Sequence, residues 1–390
     1  MYLELLENHL RRGVLNLELP SGERYRFGQG DREACWRFHN EGALRRIARD
    51  WEYELGETYI NGDWDTRDSD LRELLAILVE NFQNVTLKPW RKSVAAVLQQ
   101  WNRVSRSYRN VAHHYDLDYD FFRRFLDEDM HYSCAYYADQ NYSLEQAQQA
   151  KCALIARKLR LRPGHRVLDI GCGWGSLAMY LAQHHDVEVV GITLSREQLA
   201  AARQRAEQRR SDNTQFLLQD YREHRGQYDR IVSVGMFEHV GRPYHKRYFQ
   251  CVKQMLRPDG LALIHSIGRG SPPGSTNPWI NKHIFPGGYI PALSEVSRAL
   301  EEVGLLTTDV EVLRQHYALT LSEWMRRFRQ HRDAITARMG ERFYRMWEFY
   351  LGVSEVAFRV GDLHVLHLQL ARQHGVVPIT RDYLHQPTNT

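Results

Sequence analysis

Long apolar runs are missing from this chain of 390 residues. No uninterrupted stretch of about 18 apolar residues occurs, so a membrane-spanning helix is not expected. The opening residues MYLELLENHLRRG carry acids where a secretory leader needs a basic start followed by an apolar segment. A soluble, cytoplasmic chain is the expectation. Cysteine is scarce: Cys35, Cys134, Cys152, Cys172 and Cys251 are odd in number, scattered and without a C-x-x-C pair. Neither a disulfide framework nor a zinc site is expected; reduced, buried thiols are. An excess of one charge sign is also absent. Lys+Arg 52 against Asp+Glu 48 leaves +4, too slight to imply nucleic acid yet compatible with attraction to an anionic membrane surface. There is no internal repeat or low-complexity segment, and only the terminal QPTNT reads as disordered.

The length is comfortable for two domains, since single domains most often hold about 100–150 residues. Residues 1–84 mix short strands with amphipathic helices: LNLELP alternates, YRFGQG follows a turn, and SDLRELLAILVENF repeats at helical spacing. A small α/β or α+β domain is expected there. Residues 85–114 form a basic connecting stretch with the rhythm of a helix, read either as a solvated linker or as a membrane-contacting segment. From 115 to 390 the elements alternate: helix Leu144 to Leu159, strand at Val167, helix Ser176 to Gln183, strand at Val187, helix Ser195 to Arg209, and a strand ending at Asp220. Strand Ile231 to Val234, a helix through Phe249 to Met255, a Pro258-Asp259-Gly260 turn and strand Leu261 to Ile267 follow. Helices Leu293 to Val303 and Ser322 to Phe358 and an alternating segment His364 to Leu370 complete the chain. Such a βαβ series implies an α/β domain with a mainly parallel sheet.

The segment VLDIGCGWG, Val167 to Gly175, carries the most specific signal. An apolar run ending in an acid and a glycine-rich turn delivers the carboxyl end of a parallel strand to a nucleotide. The dinucleotide fingerprint places its third glycine one residue later and an acid about 20 residues further on; here the second strand ends on Thr193. That departure favours S-adenosylmethionine (SAM) over NAD. Polar groups then fall at successive strand ends: Asp169, the run Thr193 to Gln198, Asp220-Tyr221-Arg222, Glu238-His239 and His265-Ser266-Ile267. Each has a bland reading. Ser195 and Gln198 fit a helix capping box, Asp220 fits a loop carboxylate, and His265 fits a satisfied core histidine. Their coincidence on one edge is the stronger signal.

Eight motifs together carry a resemblance: YSCAYY (Tyr132 to Tyr137), QAQQAK (Gln146 to Lys151), VLDIGCGWG, GITLSREQ (Gly191 to Gln198), QDYR (Gln219 to Arg222), DRIVSVGMFEHVG (Asp229 to Gly241), PWINKHIFPGG (Pro278 to Gly288) and the Tyr317 region. With them the chain resembles the cyclopropane-fatty-acyl-phospholipid synthases, relatives of the mycolic acid methyltransferases, over the catalytic region and more weakly over the N-terminal domain. The resemblance implies a Rossmann-like SAM-dependent methyltransferase domain. It implies that Tyr132, Ser133, Gly171, Cys172, Gly173, Trp174, Gly175, Thr193, Gln198, Tyr221 and Arg222 lie around SAM, and the strand-end positions of Asp169 and Asp220 add these two as cofactor-binding candidates. Cys134, Glu238, His265, Ile267 through its backbone, and Tyr317 would surround a bicarbonate ion beside the acyl chain. It further implies a phospholipid membrane surface as peripheral partner, at the inner face, and a homodimer. The N-terminal domain would present lipid or support dimerisation.

The implied substrate is a cis double bond in a phospholipid acyl chain. An isolated alkene is a poor nucleophile, so proximity must supply up to about 7–11 kcal/mol. Methyl transfer leaves a carbocation that water would capture, so an apolar tunnel is required. Tyr136, Tyr137, Phe237, Trp279 and Phe285 are candidates to line it, with core packing the competing reading for each. Ring closure needs a base, either bicarbonate or Glu238 itself. Related chains often carry a cysteine in a late-helix pattern like Y-L-x-x-C-x-x-x-F; here Ser354 stands in YLGVSEVAF, which closes a covalent route there. Cys134 is then assigned packing or hydrogen bonding to the anion. Three other outcomes stay open: a fatty acyl C-methyltransferase giving methylene- or methyl-branched chains, a small-molecule methyltransferase, and a non-catalytic lipid-binding module.

Overall fold

The computed structural model describes residues 2–82 and 119–384. The expected basic linker 85–114 and the expected disordered tail 386–390 lie outside the described residues. Two compact units emerge, and they do not follow chain order. Residues 2–82 cluster with Ser275–Pro286 and Tyr317–Leu363; residues 119–274 cluster with Gly287–His316 and residues 364–384. The expected span 115–390 therefore gives two of its segments to the unit built on the N-terminal residues. Among the described residues no helix is long and apolar enough to cross a membrane.

In the first unit, strands β1 (Gly13–Glu18), β2 (Arg24–Gln29), β3 (Glu33–Phe38) and β4 (Trp64–Asp65) form a sheet of order β2-β1-β3-β4. Helices Trp51–Ile60 and Leu71–Phe82 pack on the long helix Glu341–Arg359. Tyr59 donates to Glu348 Oε2 at 2.7 Å, and Gly56 leaves room for the indole of Trp279, which a Cβ there would approach to 2.6 Å. The late segments thus complete this core. The single late helix expected from Ser322 to Phe358 is three: His316–Gln330, Arg332–Met339 and Glu341–Arg359. Gly340, at φ +86, separates the last two, a conformation that glycine adopts without strain.

In the second unit, β5 (Arg166–Ile170), β6 (Glu188–Thr193), β7 (Thr214–Leu218), β8 (Tyr228–Val234), β9 (Leu256–Arg269), β10 (Leu306–Leu313) and β11 (Leu363–Ala371) form a sheet of order β10-β11-β9-β8-β5-β6-β7. Pairings β6–β7, β5–β6, β5–β8 and β8–β9 are parallel, and β10–β11 is antiparallel. Successive residues serve opposite faces. Leu168, Ile170, Ile231, Ala262, Ile264 and Leu368 join one core with helices His245–Met255 and Leu293–Val303. Val167, Val189, Phe216, Val232 and Leu263 join the other with helices Leu144–Leu159, Ser176–His185 and Arg196–Gln208. Burial on both faces explains why these strands read as nearly continuous apolar runs. Truncating fully buried Ile264 to alanine should cost about 2–5 kcal/mol.

Two elements of this sheet depart from expectation. Pro258-Asp259-Gly260 belongs to an irregularity inside β9, exposed at Pro258 and Asp259 and buried again at Gly260, rather than to a turn before it: pairing jumps from Tyr228↔Leu256 to Arg230↔Leu261. A proline has no N–H to give to the ladder, so the excess residues loop outward. The sequence pattern marks no strand between Val303 and Ser322, yet β10 lies there at the sheet edge, with Thr307, Val310 and Val312 exposed. An edge strand with acids on it gives little alternating signal.

Candidate active site

β5 is where the sheet order reverses, with β6 on one side and β8 on the other, and open α/β sheets bind ligands at the carboxyl ends beside such a point. Ile192 O accepts from Gly171 N at 2.9 Å and Cys172 N at 3.1 Å, holding the turn against β6. Gly171, Gly173 and Gly175 take φ +84, +54 and +79. A Cβ on Gly171 would lie 2.8 Å from Met236 Cβ and one on Gly175 2.7 Å from Phe216 Cζ, whereas one on Gly173 would meet nothing within 4 Å. The turn is packed at its ends and open in its middle. Gly235, after β8, is open in the same way at φ +65.

Asp169 is 2 % exposed, and its Oδ2 has no hydrogen-bond partner. Burial pushes its pKa up to about 7, against the nearby Lys151 ammonium. A buried, unsatisfied carboxylate oxygen beside an open glycine cradle fits a cationic, hydrogen-bond-donating ligand such as the methionine end of SAM. Cys172 supplies backbone to the turn; burial, with the Asp169 charge, raises its thiol well above the ordinary value. Trp174 is buried with its ring 5.0 Å from Phe122 and 6.5 Å from Tyr119, and Phe122 is also 5.0 Å from Tyr132.

The segment from Asp127 to Tyr137 is laced to this turn. Asp127 accepts from His131 N and meets its Nδ1, both at 2.8 Å. Burial and Lys151 oppose the His131 proton, but Cys152 and Asp127 outweigh them and raise its pKa to about 9. Buried Arg205 donates to Trp174 O at 2.7 Å, Ser176 Oγ at 3.0 Å and Asp129 O at 3.0 Å. Gln148 donates to Ser133 O and Lys151 Nζ to Ser133 Oγ, each at 3.0 Å. YSCAYY and QAQQAK therefore meet. The Cys134 thiol is buried and donates to Ala135 O at 3.2 Å.

At β6, Ser195 caps its helix by accepting from Gln198 N at 3.2 Å. The expected capping box is half present: Gln198 Oε1 accepts from Thr193 Oγ1 at 2.9 Å, so this side chain serves the strand end. Beyond β7, Asp220 accepts from Arg222 Nε at 2.8 Å and Nη2 at 2.6 Å. Tyr221 is buried against the core, its ring 5.3 Å from Tyr248, with the Arg222 guanidinium 5.4 Å from its centroid.

Glu238 sits on the short 3₁₀ turn Phe237–His239 after β8. Its Oε1 accepts from Ile267 N at 2.6 Å, its own carbonyl accepts from Tyr289 N at 2.8 Å, and Oε2 is buried without a partner. Burial raises this carboxyl to about 7, against the Ile267 N–H. The Ile267 amide, expected on the anion, is thus engaged by Glu238. His265 is buried and its Nδ1 meets His367 Nε2 at 2.8 Å. Tyr317 belongs to the first unit, with its ring 4.7 Å from Phe358 and 5.9 Å from Trp324. Of the tunnel candidates, Phe237 and Trp279 are core residues packed on Tyr248 and Phe349 respectively. Phe285 is half-buried against Tyr350, while half-buried Tyr136 stacks 4.8 Å from His316 and Tyr137 N donates to His316 Nδ1.

Sequence reasoning missed Lys151, Lys158, Arg205 and His367 as members of this region. A signal existed for the lysines: Gln148, Lys151, Cys152, Ile155, Lys158 and Leu159 lie at helical spacing on the buried stripe of one helix.

A family model described as mycolic acid cyclopropane synthetase matches residues 102–368. The chain is 39% identical over 345 residues to the cyclopropane-fatty-acyl-phospholipid synthase of Escherichia coli (strain K12), covering 88% of this chain and 89% of that protein. It is 37% identical to the tuberculostearic acid methyltransferase UfaA1 of Mycobacterium tuberculosis, over 86% of this chain and 82% of that one. The structure of mycolic acid cyclopropane synthase CmaA1 complexed with SAH and CTAB aligns with a TM-score of 0.63 at 34% identity, over 67% of this chain and 97% of that chain. With the motifs, the sheet order and the open glycine turn, these likenesses establish that the chain belongs to the mycolic acid cyclopropane synthetase family and is a SAM-dependent methyltransferase.

Proposed function

We propose that this enzyme transfers a methylene unit from SAM to the cis double bond of an unsaturated acyl chain in a membrane phospholipid, closing a cyclopropane ring with bicarbonate as the base. It acts as a cytoplasmic homodimer bound peripherally to the inner face of the membrane, and the first unit presents the lipid. The observation that carries the reading is Glu238: one oxygen fixed 2.6 Å from the Ile267 amide, the other buried without a partner, at the carboxyl edge of the sheet. The name and 39% identity of the Escherichia coli relative support the phospholipid substrate.

Bound SAM supplies an electrophilic methyl group. Gly173 and Gly235 would let the backbone approach that ligand, Asp169 Oδ2 would accept from it, and the Tyr132–Phe122–Trp174 cluster backs the turn. The Ile267 amide would act on the anion through Glu238, whose Oε1 it holds and whose Oε2 is left to bind. A carboxyl pushed up to about 7 by burial readily shares a proton with a second anion, because two bare negative charges side by side would repel. Glu238 would therefore hold bicarbonate through a shared proton, and bicarbonate bound there would supply the base that ring closure requires.

The test incubates purified protein with SAM and vesicles of a cis-monounsaturated phospholipid, followed by proton NMR of the released fatty acids. Upfield cyclopropyl signals are expected, and their rate should rise with added bicarbonate. Addition of a carbon with olefinic signals retained would refute ring closure in favour of a branched-chain product. Ring formation insensitive to bicarbonate would make Glu238 itself the base.

A further inference from the structure

Behind His265 runs a line of buried polar groups that the reaction as described leaves unused. His265 on β9 and His367 on β11 meet Nδ1 to Nε2 at 2.8 Å. Lys158 Nζ lies 3.1 Å from His367 Nδ1 and 2.5 Å from Glu311 Oε2 on β10, with Asp309 Oδ2 at 4.0 Å. Lys158 and His367 are wholly buried, while Glu311 is partly exposed. Around them, Gln369 Nε2 donates to Lys158 O at 2.5 Å and Thr308 Oγ1 donates to Gln369 Oε1 at 2.8 Å. Three strands and one helix are thereby held in register about the line.

The hydrogens follow from the one member with no choice. An ammonium has three donors and no acceptor, and burial, which lowers the Lys158 pKa, is opposed by Glu311 and Asp309. Lys158 therefore donates to His367 Nδ1. Burial holds both imidazoles neutral: His265 falls to about 3, and His367 falls well below its ordinary value. A neutral ring accepting at Nδ1 carries its hydrogen on Nε2. His367 Nε2–H then donates to His265 Nδ1, which leaves the His265 hydrogen on Nε2. The opposite polarity would turn the His367 Nδ1–H toward the ammonium, donor against donor.

We propose that His367, held by Lys158 and Glu311, is a positioning residue that fixes His265 as the Nε2–H tautomer, so that His265 serves the reaction as a hydrogen-bond donor rather than as a base. The inference rests on the reading of His265 as part of the anion site. Burying a lysine and two histidines costs more than well-packed apolar residues of similar volume would, which argues for a role in the reaction. The same logic governs other positioned histidines, whose second nitrogen determines what the first can do.

Full-length protein labelled with ¹⁵N-histidine, examined by long-range proton–nitrogen correlation, reads the tautomer directly, with His265 assigned by the signals lost in His265→Asn. The expected spectrum has a pyrrole-type Nε2 and a pyridine-type Nδ1. His367→Leu should give mixed His265 tautomers and a loss of about tenfold to a hundredfold in kcat, the size seen when the outer partner of a ligating histidine is removed. The KM for SAM should hold. His367→Gln, which can accept from Lys158 and donate to His265, should restore the tautomer and most of the rate. A pyridine-type Nε2 in the wild-type protein overturns the proposal without any variant having to fold. A folded His367→Leu that loses rate with an unchanged tautomer also overturns it, since that is a structural effect. Full activity of His265→Asn would sink the anion-site reading instead, leaving the tautomer as measured.

Discussion

Replacing Glu238 by glutamine should make the protein more stable above neutral pH while abolishing ring formation. Burial raises the Glu238 carboxyl from 4.5 to about 7, against the N–H of Ile267. Between those values the folded state keeps a proton that the unfolded state has released, so stability falls as pH rises through that window. The penalty is absent below about pH 4.5 and complete above about pH 7. A tenfold change in proton affinity is worth about 1.4 kcal/mol, so the penalty is at most roughly 3 kcal/mol. Glutamine keeps an oxygen for the Ile267 amide and has no charge to bury. For domains of about 150–250 residues 1 kcal/mol moves Tm by about 2–4 °C. The melting difference, variant minus wild type, should therefore grow from about 2–3 °C at pH 5 to as much as about 6–12 °C at pH 8. Asp169, also raised to about 7, titrates in both proteins and cancels. Circular dichroism melts across pH 5–8 read the effect, and NMR of the product reads the chemistry. A difference independent of pH would refute the claim that Glu238 is buried as a reluctant acid.

Gly173→Ala should cost about 1–2 kcal/mol from its left-handed backbone alone and weaken SAM binding in a calorimetric titration; Gly175→Ala, with its Cβ driven against Phe216, should lose more stability by about a further 1–3 kcal/mol in urea unfolding. Arg205→Met leaves the Trp174 and Asp129 carbonyls without their donor, and should destabilise by about 1–3 kcal/mol, with hydrogen exchange rising across residues 127–135. Cys134→Ser should retain substantial ring-forming activity, because serine can still donate to Ala135 O; complete loss with intact SAM binding, measured side by side, would contradict that.

The N-terminal residues cannot be removed as a test of lipid presentation. Cutting at 84 would strip Glu348 of Tyr59 and leave the Trp279 indole facing the space once filled by the helix of Gly56. Point substitutions on the first unit's surface, read as vesicle activity against SAM affinity, are the appropriate probe. Nothing in the local pattern announced this arrangement, because PWINKH and the late helices read as helices wherever they dock.

By itself the sequence determined the secondary elements that alternate most strongly, the parallel α/β class and the strand-end edge. Each rests on local chemistry: apolar runs buried on both faces, glycines at positive φ, and acids placed where strands stop. The helix Leu293–Val303 lies within the bounds its spacing predicts, and the turn at Gly171 is where its glycines put it. Only the tertiary structure decided what each polar group faces. Tyr221 turned into the core, Gln198 turned to Thr193 rather than to its own cap, and the Ile267 amide went to Glu238. The line from His265 to Glu311 joins residues more than a hundred positions apart through the pairing of three strands. Register and burial are long-range properties: a histidine reads alike in any alternating strand, and its partner becomes known only when the neighbouring strand is in place.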